Sequence, residues 1–326
     1  MIISKTPLRV SFAGGGTDIA DYYRTGYGSV VSCTVKKYVY VTVNKRFDDD
    51  IRVSYSKTEI VDSVDKLEHG LVREALRKTG IRNGIEITTI ADIPSRGTGL
   101  GSSSAITVGL LNALYAFKGH RAGPKKLAEE ACEIEINALK EPIGKQDQYI
   151  AAYGGLQHIR FNSDETVTLE PIICPAKTKR EIENHLMLFY TGKTRQAKDI
   201  LSKQRKNSSV NKQALDKMRD QADRLFQDLA SLQVDKLGEA LREGWELKKS
   251  LAKDITNSDI DDMYRKAVAA GAIGGKIAGA GGGGFLILFV PPEHQWSVRN
   301  ALGGMKEVEF KLEPQGSKII YVGDDY

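Results

Sequence analysis

The chain has 326 residues, of which 41% are hydrophobic and 27% are charged, and its formal net charge is +5. This is the composition of a globular protein with one large domain or two medium ones. The 47 basic and 42 acidic residues are mixed along the chain, which disfavours a nucleic-acid-binding protein, because such proteins concentrate their basic residues in a patch. With no run of 18 apolar residues and no signal-peptide layout, we expect a cytoplasmic protein that does not enter the membrane.

Cysteine and histidine give no sign of a disulfide framework or a metal site. Cys33, Cys132 and Cys174 lie far apart, and the five histidines form no cluster in the sequence. An odd and sparse set of cysteines without metal-ligand spacing indicates neither kind of site.

The first half of the chain predicts strands followed by helices. YVYVTVNKRF (38–47), IRVSYS and GIEITTI alternate or are β-branched, as strands are. AITVGLLNALYAFKG has apolar residues at helical spacing, and GPKKLAEEACEIEINALK predicts a second helix with Pro124 in its first turn. GGLQHIRF and VTLEPI then predict a return to strand.

The second half predicts the same mixture in a different order. HLMLFY and FLILFV read as buried strands, the region from about Ala197 to Lys253 as helical, SDIDDMYRKAVAAG as a helix, and KEVEFKLEP and SKIIYVG as strands. This order predicts an α+β fold rather than regular βαβ units. We interpret the polar, proline-containing PIICPAKTKREIEN as a linker between domains 1–170 and 171–326.

Three glycine-rich stretches interrupt these elements: AGGGTD (13–18), RGTGLGSSSA (96–105) and GAGGGG (279–284). The second leads into a helix without the P-loop lysine or the dinucleotide fingerprint. Ser102 and Ser103 are good N-cap residues, and a helix N-terminus binds anions. A tight turn with an ordinary serine cap, or flexible linkers, would be the alternatives. Three such loops between packed elements favour close approach of the backbone to a shared ligand.

Two carboxylates follow in EINALKEPIGKQDQ (135–148). We expect Glu135 late on a helix and Asp147 in a polar turn beyond Pro142. Such a pair suits phosphoryl transfer, since one carboxylate can hold Mg²⁺ with a serine hydroxyl and the other can orient or deprotonate the attacking hydroxyl. The neighbouring glutamates of the same helix are interpreted as a solvated face.

PLRVSFAGGGTD, GLGSSSA and KIAGAGGGGF resemble, in order and separation, the three motifs of the GHMP kinases, a family that includes galactokinase, homoserine kinase and mevalonate kinase. The resemblance covers essentially the whole chain. It implies a two-domain GHMP kinase fold, with an N-terminal domain like ribosomal protein S5 domain 2 and a ferredoxin-like C-terminal domain. It also implies an ATP-dependent enzyme that uses Mg²⁺.

The resemblance also implies residue roles. Asp147 corresponds to the catalytic base, Arg9 to the arginine beside it and the transferring phosphate, and Ser102 and Glu135 to the magnesium ligands. The implied ATP-binding residues are Arg96, Gly97, Thr98, Gly99, Leu100, Gly101, Ser102, Ser103 and Ser104. Lys140 departs from the pattern, because many relatives have glycine there.

The resemblance implies substrate-binding residues as well, and Asp18 corresponds to the residue that binds the sugar hydroxyls. A substrate that already carries a phosphate would need cations as well, for which Lys145, Lys193 and Arg195 are candidates. The substrate residues expected are Gly15, Gly16, Thr17, Asp18, Lys145, Gln148, Arg195, Gly282 and Gly283.

RVSFAGGGTD, GKQDQYIAAYGG and LFYTGKTRQA are similar to the bacterial sugar 1-kinase branch that acts on D-glycero-D-manno-heptose 7-phosphate. This implies phosphorylation of the anomeric hydroxyl to the 1,7-bisphosphate, for GDP-heptose and surface-glycan biosynthesis. GGGTD in place of the galactokinase GEHTD argues against galactose. L-fucose or another neutral sugar is an alternative substrate, and a non-catalytic ATP and sugar sensor is a third hypothesis. We expect a small-molecule sugar or sugar phosphate as the partner; the oligomeric state stays open.

Overall fold

The computed structural model describes residues 1–94, 97–193, 202 and 211–323, and these form two β-sheets covered by helices. Its strands are β1 Ile2–Ala13, β2 Tyr27–Lys45, β3 Ile51–Ser54, β4 Thr58–Val61, β5 Ile85–Ala91, β6 Leu156–Asn162, β7 Val167–Pro171, β8 Leu186–Tyr190, β9 Gly274–Ile277, β10 Phe285–Phe289, β11 Lys306–Val308 and β12 Lys318–Val322. Its helices of four or more residues are α1 Ala20–Tyr23, α2 Gly70–Thr79, α3 Ser102–Phe117, α4 Pro124–Cys132, α5 Gln146–Tyr153, α6 Ala176–His185, α7 Lys212–Ala230, α8 Lys236–Leu251, α9 Ser258–Ala269 and α10 Gln295–Ala301, with a π-helical segment at Glu133–Ala138 after α4.

The larger sheet is built around the long strand β2. Its strand order is β12-β1-β2-β5-β3-β4, and β6 pairs with β2 and β7. The first part of β2 pairs with β6 and the last part with β5, so one strand serves two neighbours on the same side. In YVYVTV, the three valines Val39, Val41 and Val43 are buried, because alternate side chains of a strand point to the same face. Helix α3 packs on β1 and β2.

The smaller sheet has the order β11-β8-β10-β9, and all its neighbours are antiparallel. The five residues of β10 are buried, which explains why FLILF is apolar without alternation. Helix α8 packs against β9 and β10 and contributes the fully buried Trp245. The predicted α+β class is confirmed.

The chain crosses between the sheets near the predicted domain division. Strands β1 to β7 belong to the larger sheet and β8 to β11 to the smaller one, whereas β12 returns to pair with β1. The segment PIICPAKTKREIEN, predicted as a polar linker between domains, is mostly helical, because α6 occupies most of it. Thr178 and Ile182 are four residues apart and both buried, so this polar helix has a narrow inner face. None of the helices within the described ranges is long and apolar enough to cross a membrane.

Candidate active site

The three glycine-rich stretches and both predicted carboxylates meet around one cavity of about 260 Å³. Residues from the larger sheet, from α3 and α5, and from the segment between β9 and β10 line it. The predicted site residues among its lining are Arg9, Gly15, Gly16, Asp18, Gly97, Thr98, Gly99, Gly101, Ser102, Ser103, Ser104, Glu135 and Asp147.

The second and third glycine stretches pack directly against each other. A Cβ added to Gly99 would lie 2.3 Å from the carbonyl oxygen of Ala278, and one added to Gly279 would lie 2.6 Å from Gly99 Cα. A Cβ on Gly284 would lie 2.5 Å from the carbonyl oxygen of Thr98. These glycines are therefore required for contact between the two loops, in addition to any contact with a ligand.

The second stretch forms the wall of the cavity at the start of α3. Gly97, Gly99 and Gly101 have φ values of 70°, 75° and 73°, which is the left-handed conformation that glycine adopts without strain. Gly101 occupies the N-cap position, and Ser102 lies in the first helical turn without capping the helix, so the predicted serine cap is wrong. The free N–H groups of this turn can still bind an anion.

Arg9 and Asp147 form a bidentate ion pair at the centre of the site. Arg9 Nε donates to Asp147 Oδ1 and Arg9 Nη2 donates to Oδ2, both at 2.7 Å. Arg9 Nη1 donates to the carbonyl oxygen of Gly99 in the second glycine-rich stretch. Asp147 lies in the first turn of α5 rather than in an irregular turn. The arginine thus fixes the orientation of the carboxylate and ties it to the glycine loop.

Asp18 is buried and lines the same cavity. Its Oδ1 accepts from the Gly16 N–H at 2.9 Å and from Gln146 Nε2 at 3.1 Å, and its Oδ2 accepts from the Gln146 N–H at 3.2 Å. Burial, and next the negative charge of Asp147, raise the pKa of Asp18 above its ordinary value. A Cβ on Gly144 would lie 2.0 Å from Asp18 Oδ2, which explains the glycine at that position.

Glu135 lies on the π-helical segment and is 1% exposed. Ser103 Oγ donates to its Oε1 at 2.9 Å and Gln148 Nε2 donates to its Oε2 at 2.6 Å. Burial raises the pKa of Glu135 to about 7, although hydrogen bonds from Ser104, Gln148 and Ser103 oppose the rise. Within the described ranges no basic side chain forms a salt bridge with Glu135.

These groups fit a magnesium ion, because Mg²⁺ binds carboxylate and hydroxyl oxygens together with phosphates. A buried carboxylate without a basic partner is also the group that a bound cation would stabilise. The Ser103 hydroxyl contacts Glu135, whereas the hydroxyl of the predicted ligand Ser102 lies 3.4 Å from that of Thr98. Ser102, Ser103 and Glu135 all line the cavity.

Several predicted residues do not line the cavity but form hydrogen bonds with neighbouring segments. The Leu100 carbonyl accepts from the Arg9 N–H at 3.0 Å, and the Thr17 hydroxyl donates to the Gly14 carbonyl at 2.8 Å. Gln148 is buried and contacts Glu135. The Gly282 N–H donates to the carbonyl of Ile255 in the C-terminal half.

The predicted phosphate-binding cations do not line the cavity as far as the structure describes them. Lys145 Nζ lies 2.5 Å from Glu165 Oε2, and Lys193 pairs with Asp259. Gly283 packs on the backbone of Lys193. The remaining predictions, Arg96 and Arg195, lie outside the described residues.

Sequence reasoning missed two buried lysines that line the cavity, Lys248 and Lys276. Lys248 Nζ donates to the carbonyl of Gly279, and Lys276 Nζ donates to that of Ser11 at 2.8 Å. Burial lowers the pKa of Lys248 to about 8 and that of Lys276 well below its ordinary value. Lys276 could have been found, since it precedes the third glycine stretch, but Lys248 sits in a charged helical sequence that resembles a surface.

A second cavity of about 420 Å³ adjoins the start of α3. Val39, Ile93 and Ile106 give it apolar walls, and Ser103 lines both cavities. A pocket with apolar walls and polar groups beside them, next to a helix N-terminus that can bind phosphate, suits the base of a nucleotide.

Comparisons with known proteins agree with this arrangement. The GHMP kinases N-terminal domain model matches residues 62–155 and the GHMP kinases C-terminal model matches residues 225–305. The chain is 30% identical to the D-glycero-alpha-D-manno-heptose 7-phosphate kinase of Campylobacter jejuni, over 92% of this chain and 93% of that protein. It is 27% identical to the L-fucokinase/L-fucose-1-P guanylyltransferase of Bacteroides fragilis, over 92% of this chain and 35% of that protein.

The solved structures give the same answer for the fold. The crystal structure of a D-glycero-D-manno-heptose 1-phosphate kinase from Bacteroides thetaiotaomicron matches with a TM-score of 0.82 and 26% identity, over 99% of this chain and 100% of that chain. The matched N-terminal and C-terminal domain models define the class of protein as a phosphotransferase. The chain belongs to the GHMP kinase family and is an ATP-dependent kinase.

Proposed function

We propose that this kinase phosphorylates the anomeric hydroxyl of D-glycero-D-manno-heptose 7-phosphate, giving the 1,7-bisphosphate for GDP-heptose and surface-glycan synthesis. The observation that carries phosphoryl transfer is the bidentate Arg9–Asp147 pair, which shares a cavity with the start of α3 and with Asp18. The choice of sugar is supported by the likeness to the Campylobacter jejuni kinase over nearly the full length of both chains.

In the proposed reaction, the triphosphate lies along the glycine loop and the N-terminus of α3. Asp18 orients the sugar hydroxyls, and Asp147 accepts the proton of the attacking hydroxyl. Ser102 or Ser103, together with Glu135, would hold Mg²⁺, which when bound neutralises charge on the phosphate oxygens. Arg9 keeps the Asp147 carboxylate in a single orientation, so that little reorganisation is needed in the transition state.

A neutral sugar such as L-fucose is the second candidate substrate, and one observation favours it. Lys145 and Lys193, two of the cations expected to bind a substrate phosphate, are each paired with an acidic side chain. A cation that is already paired has less to offer a phosphate, because the existing ion pair must be broken first.

An ADP-release assay with MgATP tests the function. D-glycero-D-manno-heptose 7-phosphate is compared with sedoheptulose 7-phosphate, L-fucose and galactose, and ³¹P NMR locates the new phosphate. We expect turnover with the heptose phosphate, phosphate on the anomeric oxygen, and loss of turnover in Asp147→Asn. Turnover with L-fucose alone would refute the proposed substrate and retain the kinase.

The variants Arg195→Ala and Lys193→Ala test recognition of the substrate phosphate. If Arg195 binds that phosphate, its loss raises KM for the heptose phosphate far more than KM for ATP. Equal effects on the two KM values would contradict this role. Lys193→Ala is the matched variant, since Lys193 is two residues away and already paired with Asp259.

A further inference from the structure

The cavity is lined by three basic side chains, Arg9, Lys248 and Lys276, and only Arg9 is paired with Asp147. All three nitrogens of the Arg9 guanidinium donate to protein atoms, two of them to Asp147 and one to the carbonyl of Gly99. An arginine engaged in this way acts mainly on the carboxylate it holds, and few of its five N–H groups stay available for a phosphate.

Lys248 is differently placed. It is 5% exposed, lines the cavity, and donates to the carbonyl of Gly279. Its ammonium has three N–H donors, and within the described ranges no carboxylate forms a salt bridge with it. A buried ammonium that no carboxylate contacts directly is costly, so its position beside a cavity indicates that the cavity receives an anion.

The position of this ammonium identifies the anion. Gly279 packs on Gly99 of the loop proposed to hold the triphosphate. Arg9, Asp18 and Asp147, the residues proposed to act at the point of transfer, line the same cavity as Lys248, and their charges act on it.

We infer that Lys248 is a catalytic residue whose ammonium donates to the γ-phosphoryl group of ATP during its transfer, while Arg9 is a positioning residue for Asp147. This inference rests on the proposed phosphoryl transfer but on no particular sugar. The sugar oxygen forms a bond to the γ-phosphorus, the bond from that phosphorus to the β,γ-bridging oxygen breaks, and ADP leaves with the electron pair. The hydroxyl proton goes to Asp147, and Lys248 keeps its own protons.

Lys276 is a weaker candidate for this role. Its ammonium donates to two carbonyls of β1, those of Ser11 at 2.8 Å and Phe12 at 3.4 Å. Its pKa is lowered by burial and by the cations Lys248 and Arg9, and no carboxylate is among the causes. With two carbonyls already bound, the Lys276 ammonium has fewer N–H donors left for a phosphate than that of Lys248, which binds one.

Nucleotide binding without any sugar tests the inference. The dissociation constants of ADP and of the non-hydrolysable analogue AMP-PNP are measured with Mg²⁺ by calorimetry for wild type, Lys248→Gln and Lys249→Gln. Glutamine keeps a donor for the Gly279 carbonyl and removes the charge. Lys249 is the matched control, because it follows directly on α8 and pairs with Glu246 at 2.8 Å.

In Lys248→Gln we expect AMP-PNP to bind about tenfold more weakly or worse, since a charge-assisted hydrogen bond is lost, while ADP affinity changes less than about twofold. Lys248→Arg should restore much of the AMP-PNP affinity, and Lys249→Gln should change neither constant. Equal factors for ADP and AMP-PNP, or no change in either, would overturn the inference. Thermal unfolding of each variant confirms that it is folded. A failure of the sugar assay would leave this result intact, so the two proposals fail separately.

Discussion

Glu135→Gln removes a buried negative charge with almost no change in shape, and we expect it to stabilise the protein at alkaline pH in the absence of Mg²⁺. Burial raises the pKa of Glu135 from its ordinary value of 4.5 to about 7. Its contribution to the free energy of unfolding is therefore fully present below pH 4.5 and is lost as the pH rises to 7, because the unfolded chain ionises more readily. The loss over this window is about 3 kcal/mol.

Glutamine can keep the hydrogen bonds with Ser103 and Gln148. Its amide oxygen can accept from Ser103, and Gln148 can turn its own amide, whose oxygen lacks a partner. The variant should therefore keep its stability at alkaline pH, and no additional buried polar atom is left without a hydrogen-bond partner.

Urea unfolding of the metal-free protein at about pH 5 and about pH 8 measures the effect. We expect the stability of Glu135→Gln relative to wild type to increase by about 2–3 kcal/mol between these pH values. Glu133→Gln is the control, since that exposed side chain pairs with Lys78 and surface pairs contribute about 0–1 kcal/mol. A pH-independent difference would refute the assignment of Glu135 as a buried carboxylate with a raised pKa. Added Mg²⁺ should reduce the difference at pH 8 if Glu135 is a ligand.

Three further substitutions test the backbone and the ion pair. Gly99→Ala should be at least about 2 kcal/mol more destabilising in urea unfolding than Gly119→Ala, because both positions have a φ near 75° but only Gly99 faces another backbone; equal costs would contradict loop contact. Arg9→Lys should lower kcat by about 100-fold and leave both KM values nearly unchanged, since lysine keeps the charge but not the bidentate geometry that orients Asp147; a selective rise in the KM for ATP would instead indicate that Arg9 binds the nucleotide. Lys140→Gly should raise the free energy of unfolding by about 0.5–1 kcal/mol, because this exposed residue has a φ of 56°, and a loss of stability would show that its side chain matters.

The sequence predicted the candidate site from its glycine-rich stretches and its two carboxylates. Each of these predictions depends on residues that are close together in the chain. The left-handed conformations at Gly97, Gly99 and Gly101 follow from alternate glycines before a helix. The departure at Lys140 also has a physical account, since the position is left-handed and glycine would suit it better. Such features depend on the backbone within a few residues, which is why a single sequence can reveal them.

The features that sequence reasoning missed depend on contacts between distant segments. Lys248 looks like one charge among many until α8 is packed against the smaller sheet, which turns its side chain into the cavity. The sequence of α6 does not predict a helix, because only Thr178 and Ile182 give that helix a buried face. The predicted serine cap was wrong because Gly101, in a left-handed conformation, takes the N-cap position. Ser102 already lies inside the helix.

The contact between the glycine loops has a consequence for how the two halves of the chain work together. Gly99 lies against Gly279, and Thr98 lies against Gly284, so the second half of the chain shapes the loop proposed to hold the phosphates. Arg9 links that same loop to Asp147 through the carbonyl of Gly99. A shift of the smaller sheet would therefore move the phosphate loop and the proposed base together. This coupling explains why glycine is needed on both sides of the contact. A side chain at Gly99, Gly279 or Gly284 would push the two loops apart, and with them the two halves of the chain that line the cavity.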